Sequence, residues 1–431
     1  MELLLIIFSL LLFLGISYYS LTLGFALFFF LLPTYLIRFS VFSFPTTLLE
    51  CLFLMLFLVF LFRELKQKKI PDLLLYYKNI TRKNPTLCMA TALFIIAATI
   101  SLYISPNLRS AAGAWKAFFI EPLILSAIFI RHIKNIKQIH YILFALILSG
   151  LITSILAIYQ HFTGWMVPWD FWENRNTFRV TAWYGFPNAV GIYLAPIISF
   201  ALYFAVHLFN KTKKNRKNII YFTLSCIFIP CGIAAIIFAK STGALIGVLA
   251  SFCILLLLYK KTRIPTLFLG ILMCITLFSF HSDNPIRQEV LAQDRSGQIR
   301  VQMWAESVEY LRANPIFGAG LMGYNTEIRP YRIDKWIEVF HHPHNTLLNM
   351  WMNIGFVGMF GFVWIVVWCF KTGYVRIKKK QGVLLPYFIL SALTAFLVMG
   401  LVDSPYIKND SAMFFWLLVS LLLIQTKKRF T

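Results

Sequence analysis

Three histidines stand directly before a long apolar run, and they are the residues of this chain best suited to proton chemistry. They occur in the segment His341-His342-Pro343-His344-Asn345, and the apolar run extends from Thr346 to Phe370. An imidazole gains and loses a proton near neutral pH. This proton transfer is useful at the edge of a membrane, whereas the lipid interior disfavours the charged form. We interpret His344 as the centre of a reactive site at the membrane surface. The alternative is that these residues only cap a helix at the interface.

Cationic side chains in two polar stretches, 160–186 and 281–346, could hold an anionic group near that histidine. They are Arg175, Arg179, Arg300, Arg329 and Arg332, and Lys240 adds a further cation in a short turn between two apolar runs. A guanidinium binds phosphate oxygens through paired N–H donors. The ordinary alternatives are a salt bridge to Glu173, contact with lipid phosphates, or, for Lys240, snorkelling to the membrane edge.

Indole side chains accompany these cations. Trp165, Trp169, Trp172 and Trp183 lie in or near the first polar stretch, and Trp304 follows Arg300 by one helical turn. Tryptophan is common at the level of lipid headgroups, and its flat apolar face also accepts a sugar ring. The residues alone leave both interpretations open.

Hydrophobic helices must position these residues. Of the 431 residues, 59% are hydrophobic and 17% aromatic, which excludes a water-soluble domain around one core and predicts an all-α polytopic membrane protein. The apolar runs predict about twelve or thirteen transmembrane helices, near 3–17, 21–37, 45–62, 86–104, 114–130, 141–159, 187–208, 219–239, 243–259, 264–280, 347–370, 383–402 and 411–425.

A helical extracytoplasmic insertion is expected between the tenth and eleventh apolar spans. Residues 298–312 have helical periodicity, and Asn314-Pro315 ends that helix. The expected units are therefore residues 1–280, with transmembrane helices and small outer loops, the loop domain 281–346 with part of the active site, and the C-terminal transmembrane helices in 347–431.

The net charge of +23 is distributed by membrane side. Basic residues cluster in alternate loops, which include Arg63 to Lys69, Arg131 to Lys137, Lys211 to Lys217, Lys371 to Lys380 and Lys427 to Arg429. The positive-inside rule assigns these loops to the cytoplasm and leaves His344 on the far side. The charge therefore indicates topology, and nucleic acid is not an expected partner. The first run, Leu3–Leu14, lacks a basic flank and an evident cleavage site, so we expect a retained helix.

No metal and no cofactor are expected. The seven cysteines lie within or beside apolar runs without a CxxC spacing, which favours packing roles. A zinc site formed by His341, His342 and His344 is the alternative. Its weakness is that it lacks a nearby cysteine or aspartate ligand beyond Asp334.

Two glycine patterns are expected to shape the backbone. The segment 318–323 formally matches the GxGxxG dinucleotide fingerprint, but it follows a helix and has no βαβ unit, so a nucleotide site is rejected. Its glycines are expected to let the chain turn tightly beside a bulky ligand. Gly355, Gly358 and Gly361 recur at every third residue, which predicts a helix face that approaches a neighbour closely.

Together these residues resemble the superfamily of O-antigen ligases and O-antigen polymerases. The family signature is histidine, then asparagine, serine or glutamine, then nine residues, glycine, two residues, and a small or polar residue. The chain fits it with His344-Asn345, Gly355 and Gly358. Arg300 with Trp304 and Pro315-x-x-Gly318-x-Gly320 looks like the family's approach to that histidine, and Arg179 with Pro187-Asn188 looks like its earlier outer loop. The resemblance covers about residues 175–361. One departure is Thr242, where family ligases usually carry arginine; Lys240 is the candidate replacement.

The resemblance implies a GT-C-like glycosyltransferase in the bacterial inner membrane, with its active site facing the periplasm. The implied donor is a preassembled glycan on undecaprenyl diphosphate, the implied acceptor is lipid A-core, and membrane lipids surround the chain. A donor that is already activated is also needed because this side of the membrane has no ATP and no nucleotide sugars.

The expected mechanism is a single inverting displacement without a metal. His344 removes the proton of the acceptor hydroxyl, and the positive end of the following helix dipole keeps the imidazole neutral. Arg300 and Arg179 hold the diphosphate, with Arg175, Lys240, Arg329 and Arg332 in reserve. Trp304 and Asn345 complete the expected substrate-binding set, and Asn345 or a backbone carbonyl fixes the imidazole tautomer.

Three alternatives stay open. An O-antigen or capsule polymerase would use a second undecaprenyl-linked glycan as acceptor. A protein O-oligosaccharyltransferase would usually be longer at its C-terminus. A lipid-linked glycan flippase would show internal repeats and polar groups at mid-membrane, whereas the polar residues here concentrate at the outer edge.

Overall fold

The computed structural model describes residues 2–41, 44–174, 178–209, 211, 215–279, 285–334, 340–381 and 384–424. Arg175, one of the residues predicted to bind substrate, lies outside the described residues.

Helices form most of the described structure. The first half contains Glu2–Tyr19 (α1), Leu21–Phe30 (α2), Leu48–Lys66 (α3), Ile70–Lys83 (α4), Pro85–Ile104 (α5), Leu108–Trp115 (α6), Glu121–His132 (α7), Ile136–Thr163 (α8), Asp170–Glu173 (α9) and Pro187–Leu208 (α10). The second half contains Arg216–Phe238 (α11), Thr242–Leu258 (α12), Arg263–Ser279 (α13), Pro285–Val290 (α14), Arg295–Ala313 (α15), Tyr324–Glu327 (α16), Thr346–Lys378 (α17), Leu385–Met399 (α18) and Asn409–Leu423 (α19). A π-helical segment, Lys116–Ile120, joins α6 to α7, and 3-10 helices cover Leu32–Leu36 and Arg329–Tyr331. The predicted all-α class is confirmed.

Within the described residues, six helices are long and apolar enough to cross a membrane. They are Pro85–Ile104, Leu108–His132, Ile136–Thr163, Pro187–Leu208, Arg216–Phe238 and Thr346–Lys378. Shorter apolar helices accompany them at Leu4–Tyr19, Leu21–Phe30, Thr242–Leu258, Arg263–Met273, Leu385–Met399 and Asn409–Leu423. These lengths confirm a multi-pass membrane protein, while the predicted number of crossings stays a prediction.

A two-stranded hairpin is a departure from the helical pattern. The strands Arg38–Val41 (β1) and Phe44–Thr47 (β2) pair in antiparallel register, with Arg38 opposite Thr47. Only a junction between two spans was predicted here. Aromatic and β-branched residues favour extended backbone, and Thr47 then starts α3 by accepting a 3.2 Å hydrogen bond from the Glu50 N–H at its hydroxyl.

Helix α10 lies at the centre of the bundle and packs against α8, α11, α12 and α18. Every residue from Ala189 to Ala201 is buried. A Cβ atom on Gly191 would collide with Ala244 and would lie 2.8 Å from the Ser241 hydroxyl. This close approach holds the start of α10, with Asn188, beside the turn that precedes α12.

Helix α17 is interrupted at Gly355, which has φ 69° and ψ 177°. The loop 316–322 fills the interruption: the Phe356 N–H donates to the Ile316 carbonyl at 3.0 Å, and the Ala319 N–H donates to the Met352 carbonyl at 2.7 Å. Backbone N–H and C=O groups that lack a helical hydrogen bond at the break are therefore bonded by the loop inside the protein. These bonds anchor the insertion to the bundle.

Because α17 is interrupted at Gly355, the prediction that Gly355, Gly358 and Gly361 form one packing face is wrong in part. Gly355 marks the break, and a Cβ on Gly358 would meet the side chain of Ile354 in its own helix. Gly361 does approach a neighbour, because its Cβ would lie 3.1 Å from the Ala90 carbonyl and 3.0 Å from the Phe94 nitrogen of α5. One of the three glycines therefore has the predicted packing role.

The glycines of the 316–322 loop turn tightly, as predicted. Gly318 and Gly320 have φ of 67° and 77°. A Cβ on Gly318 would lie 2.5 Å from the Met352 carbonyl, and one on Gly320 would lie 2.6 Å from the Ser105 nitrogen. Both glycines therefore approach backbone of this chain, and a bulky ligand beside the loop stays a prediction.

Replacing Gly355 by alanine is expected to destabilise the fold by roughly 2–4 kcal/mol. The new Cβ would stand at a positive φ and against the Ile316 carbonyl. Thermal unfolding of the detergent-solubilised protein measures the loss. Gly113→Ala is the matched control, because Gly113 lies in α6 with no heavy atom within 4 Å of the added carbon. Equal losses for the two variants would contradict the assignment of strain to the break.

Candidate functional site

Several predicted outer segments meet at one end of the bundle. The Thr346 N–H donates to the Gly400 carbonyl at 2.6 Å, and the Asn345 side-chain amide donates to the Leu401 carbonyl at 3.1 Å. The start of α17 is thereby fixed to the connection between α18 and α19. At the opposite ends of α17 and α19, the Arg376 guanidinium donates to the Ile424 carbonyl at 3.1 Å.

His344 lies beside a carboxylate that the sequence analysis did not single out. Its Nδ1 is 3.4 Å from Asp403 Oδ1, and the two side chains are 21% and 9% exposed. A carboxylate beside one ring nitrogen favours the tautomer with the proton on that nitrogen and stabilises the imidazolium that forms when the other nitrogen accepts a proton. His344 also has φ 48°, a conformation in which histidine is enriched among residues other than glycine.

Asp403 connects His344 to the start of α10. The Asn188 side-chain amide donates to Asp403 Oδ2 at 3.2 Å, and Arg179 donates to Asn188 Oδ1 at 2.7 Å. A continuous chain of side chains therefore runs from Arg179 through Asn188 and Asp403 to His344. The Ser404 N–H, which donates to Asp403 Oδ1 at 2.8 Å, further fixes the carboxylate.

The electrostatics of this end favour an ionised Asp403. Burial raises the pKa of its carboxyl, but the His344 and His342 imidazoles and the Ser404 N–H more than offset burial and leave the pKa below its ordinary value. Desolvation and the neighbouring His344 lower the pKa of His342 to about 4. A negative charge is therefore held behind His344, next to a second imidazole that is uncharged at neutral pH.

Aromatic contacts fix the histidine segment. The His342 and His344 rings have centroids 4.4 Å apart at an interplanar angle of 78°, and the Phe340 ring lies 5.4 Å from the His344 ring. The backbone N–H of His344 also donates to His342 Nδ1 at 3.4 Å. His342, His344 and Asp403 each offer one potential metal-ligand atom, and these atoms all lie within 4.8 Å of one another.

Asn345 caps α17. Its side-chain oxygen accepts from the Leu347 and Leu348 N–H groups at 3.0 and 3.1 Å, a pattern that stabilises a helix start. The group that lies next to His344 Nδ1 is Asp403, so the tautomer role predicted for Asn345 is corrected. Binding of substrate by Asn345 stays a prediction.

The Arg179 guanidinium makes hydrogen bonds and a cation–π contact within the protein. Its Nε donates to the Ala239 carbonyl at 2.8 Å, one of its terminal nitrogens donates to the Lys240 carbonyl at 3.1 Å, and its guanidinium carbon lies 5.1 Å from the centre of the Trp172 ring. These bonds give it a positioning role at the turn before α12. Lys240 itself is exposed, with φ 47°.

Helix α15 reaches the histidine segment through Trp304. The predicted helix 298–312 is confirmed as Arg295–Ala313, and the Trp304 indole N–H donates to the Pro343 carbonyl at 2.9 Å. Arg300 lies one turn earlier on the same face. Arg300 is half-buried, and its guanidinium makes no hydrogen bond or ion pair within the described part of the chain.

The two remaining arginines lie further along the insertion. The exposed Arg329 donates to the Asn325 carbonyl at 3.3 Å, and Arg332 donates to the Asp334 carbonyl at 2.8 Å. Both bonds are local to their own loop. A role for either residue in substrate binding stays a prediction.

Asp403 is the residue that sequence reasoning missed. It follows the predicted span 383–402 directly and precedes the predicted span 411–425. An acidic residue in a short outer connection was the available signal, but nothing in the local pattern links it to His344. The contact exists because α17, α18 and α19 begin or end at the same place.

Residues 226–363 match a family model described as O-antigen ligase. This match supports the superfamily that the sequence resembles and contains Arg300, Trp304 and His344. Arg179, Asn188 and Asp403 lie outside it. Comparison with curated proteins gives no match.

Proposed function

We propose that the chain transfers a preassembled glycan from undecaprenyl diphosphate to lipid A-core, as an inner-membrane enzyme whose active site faces the periplasm. The observation that carries the proposal is the pairing of His344 Nδ1 with Asp403 at 3.4 Å, where helices within and beside the O-antigen ligase match meet at one end of the bundle. The pairing supports a base at the membrane edge, where the phosphate group of a lipid-linked donor would lie.

The proposed reaction is a single displacement. The acceptor hydroxyl gives its proton to His344 Nε2, and its oxygen forms a bond to the anomeric carbon of the donor sugar. The bond between that carbon and the phosphate oxygen breaks, and undecaprenyl diphosphate leaves with the electron pair. Asp403 stabilises the imidazolium that results, and the anomeric centre is inverted. No step in this proposal uses a metal.

Arg300 is the proposed contact for the leaving diphosphate. It is a half-buried cation without a protein partner among the described residues, on the helix that Trp304 ties to the histidine segment. A leaving diphosphate stays anionic, so it requires a cation more than an acid. Arg179 is proposed to contribute its charge and to position Asn188.

Substituting glutamine for Arg300 is expected to lower kcat/KM for the lipid-linked donor by roughly 10- to 100-fold, the effect of losing a charge-assisted hydrogen bond. Initial rates of glycan transfer in proteoliposomes measure the change. Arg312→Gln provides the comparison, because Arg312 is an exposed arginine near the other end of α15. If both variants lose the same activity, a specific diphosphate contact at Arg300 is excluded.

A deletion strain tests the function itself. For a ligase, all glycan repeats disappear from lipid A-core while long undecaprenyl-linked chains accumulate. For a polymerase, the alternative that shares this donor, single repeats remain attached to lipid A-core. Retention of the lipid-linked glycan on the inner leaflet would instead identify a flippase and end the proposal.

A further inference from the structure

We infer that His342, His344 and Asp403 form a binding site for a zinc ion, and that zinc at this site inhibits transfer. The inhibitory part rests on the proposed function of His344, whereas the metal site rests on geometry alone. A zinc site was not expected from the sequence, in which Asp334 is the aspartate nearest to the histidines. Asp403 supplies the carboxylate that was missing.

The separations suit zinc. Ligands about 2.1 Å from zinc at tetrahedral angles lie about 3.4 Å from each other. His344 Nδ1 and Asp403 Oδ1 already stand 3.4 Å apart. All three ligand atoms lie within 4.8 Å of one another. A small rotation of His342 would bring its ligand nitrogen to the separation that tetrahedral zinc requires.

The orientations suit zinc as well. The two imidazole planes meet at 78°, so both rings can direct a nitrogen toward one point without stacking. His344 Nδ1 is buried, and its 3.4 Å contact with Asp403 Oδ1 does not have the geometry of a hydrogen bond. Its lone pair is therefore available to a metal when the ring proton moves to Nε2. Two imidazoles and a carboxylate with an open fourth position are a common zinc ligand set.

Hydrogen bonds from neighbouring residues fix the orientation of the Asp403 carboxylate. Asn188 donates to Asp403 Oδ2 at 3.2 Å, and the Ser404 N–H donates to Oδ1 at 2.8 Å. Such bonds fix the orientation of a ligating carboxylate and raise metal affinity. The three ligands also come from both sides of one junction, because the histidines precede α17 and Asp403 follows α18.

Zinc and proton acceptance exclude each other at His344. A neutral imidazole has one proton for its two nitrogens, so zinc on Nδ1 leaves the proton on Nε2. Nε2 then cannot accept the proton of an incoming hydroxyl. Zinc would also neutralise the Asp403 charge that stabilises the imidazolium.

Cobalt absorption and zinc calorimetry on the untagged, metal-stripped protein in detergent test the site without reference to activity. We expect one ion per chain and the visible bands of tetrahedral cobalt. His342→Gln is expected to weaken zinc binding by at least about 100-fold. His341→Gln is the matched control, because His341 is the exposed neighbour outside the triplet, and it is expected to bind as the wild type does.

Zinc titration of transfer then tests the inhibition. The half-inhibitory zinc concentration should equal the dissociation constant for the wild type and rise in parallel with it for His342→Gln. Equal affinities of His341→Gln and His342→Gln, or octahedral cobalt spectra, would overturn the site. Stoichiometric zinc that leaves transfer unchanged or accelerates it would overturn the inhibition. A metal-free wild type that transfers no glycan would refute the proposed function and leave the cobalt result standing.

Discussion

Glutamine or asparagine in place of His344 is expected to reduce kcat for glycan transfer by about 10³-fold, within the range that a general base contributes. Both amides keep a polar group near Asp403, which lies 3.4 Å from His344 Nδ1, but neither accepts a proton at neutral pH. The effect should fall on kcat with little change in the donor KM, because the lost interaction is made in the transition state. Proteoliposomes supplied with undecaprenyl-linked glycan and lipid A-core measure both constants.

Two variants distinguish loss of the base from misfolding of the protein. His344→Asn suits the backbone, since asparagine tolerates the positive φ of 48° at this position. His341→Gln changes an exposed histidine in the same segment and should transfer at the wild-type rate. Rates within about threefold of wild type for both His344 variants would exclude a general base at this residue.

The sequence predicted the parts of the site that depend on local pattern. Membrane helices follow from apolar runs, because each run must satisfy its own backbone in lipid. Only the family resemblance linked Arg300 and Trp304 to the histidine segment, and the bond from Trp304 to Pro343 agrees with that link. The hairpin and the break at Gly355 were not predicted. The break depends on the loop 316–322, whose backbone provides the partners that α17 lacks.

The contact between His344 and Asp403 could not be predicted from local sequence patterns, for a different reason. The two residues stand in separate connections of the bundle, and their meeting depends on how α17, α18 and α19 pack. Asn188 illustrates the same limit. Its motif resembled that of a family, but its bond to Asp403 joins residues 215 positions apart and became evident only when the two segments were placed together.

Asp403→Asn is expected to reduce kcat by about 10²- to 10³-fold, less than the loss of the base itself. The amide retains the shape of the carboxylate, and its oxygen can still accept from Asn188, which donates to Asp403 Oδ2 at 3.2 Å. Its NH₂ group would then face His344 Nδ1 as a donor. That arrangement leaves the imidazole proton on Nε2, which is the nitrogen that must accept the proton from the acceptor hydroxyl.

A structural role for Asp403 predicts different results. Loss of packing alone would affect KM and kcat together, whereas the wrong tautomer lowers kcat with little change in KM. Asp403→Glu restores the charge and should recover part of kcat. Asp410→Asn is the control, because Asp410 is a buried carboxylate near the same connection that accepts from the Ser411 N–H at 2.8 Å. If Asp410→Asn lowers kcat as far as Asp403→Asn does, the carboxylate beside His344 has no special part in the transfer, and the imidazole works without an orienting charge.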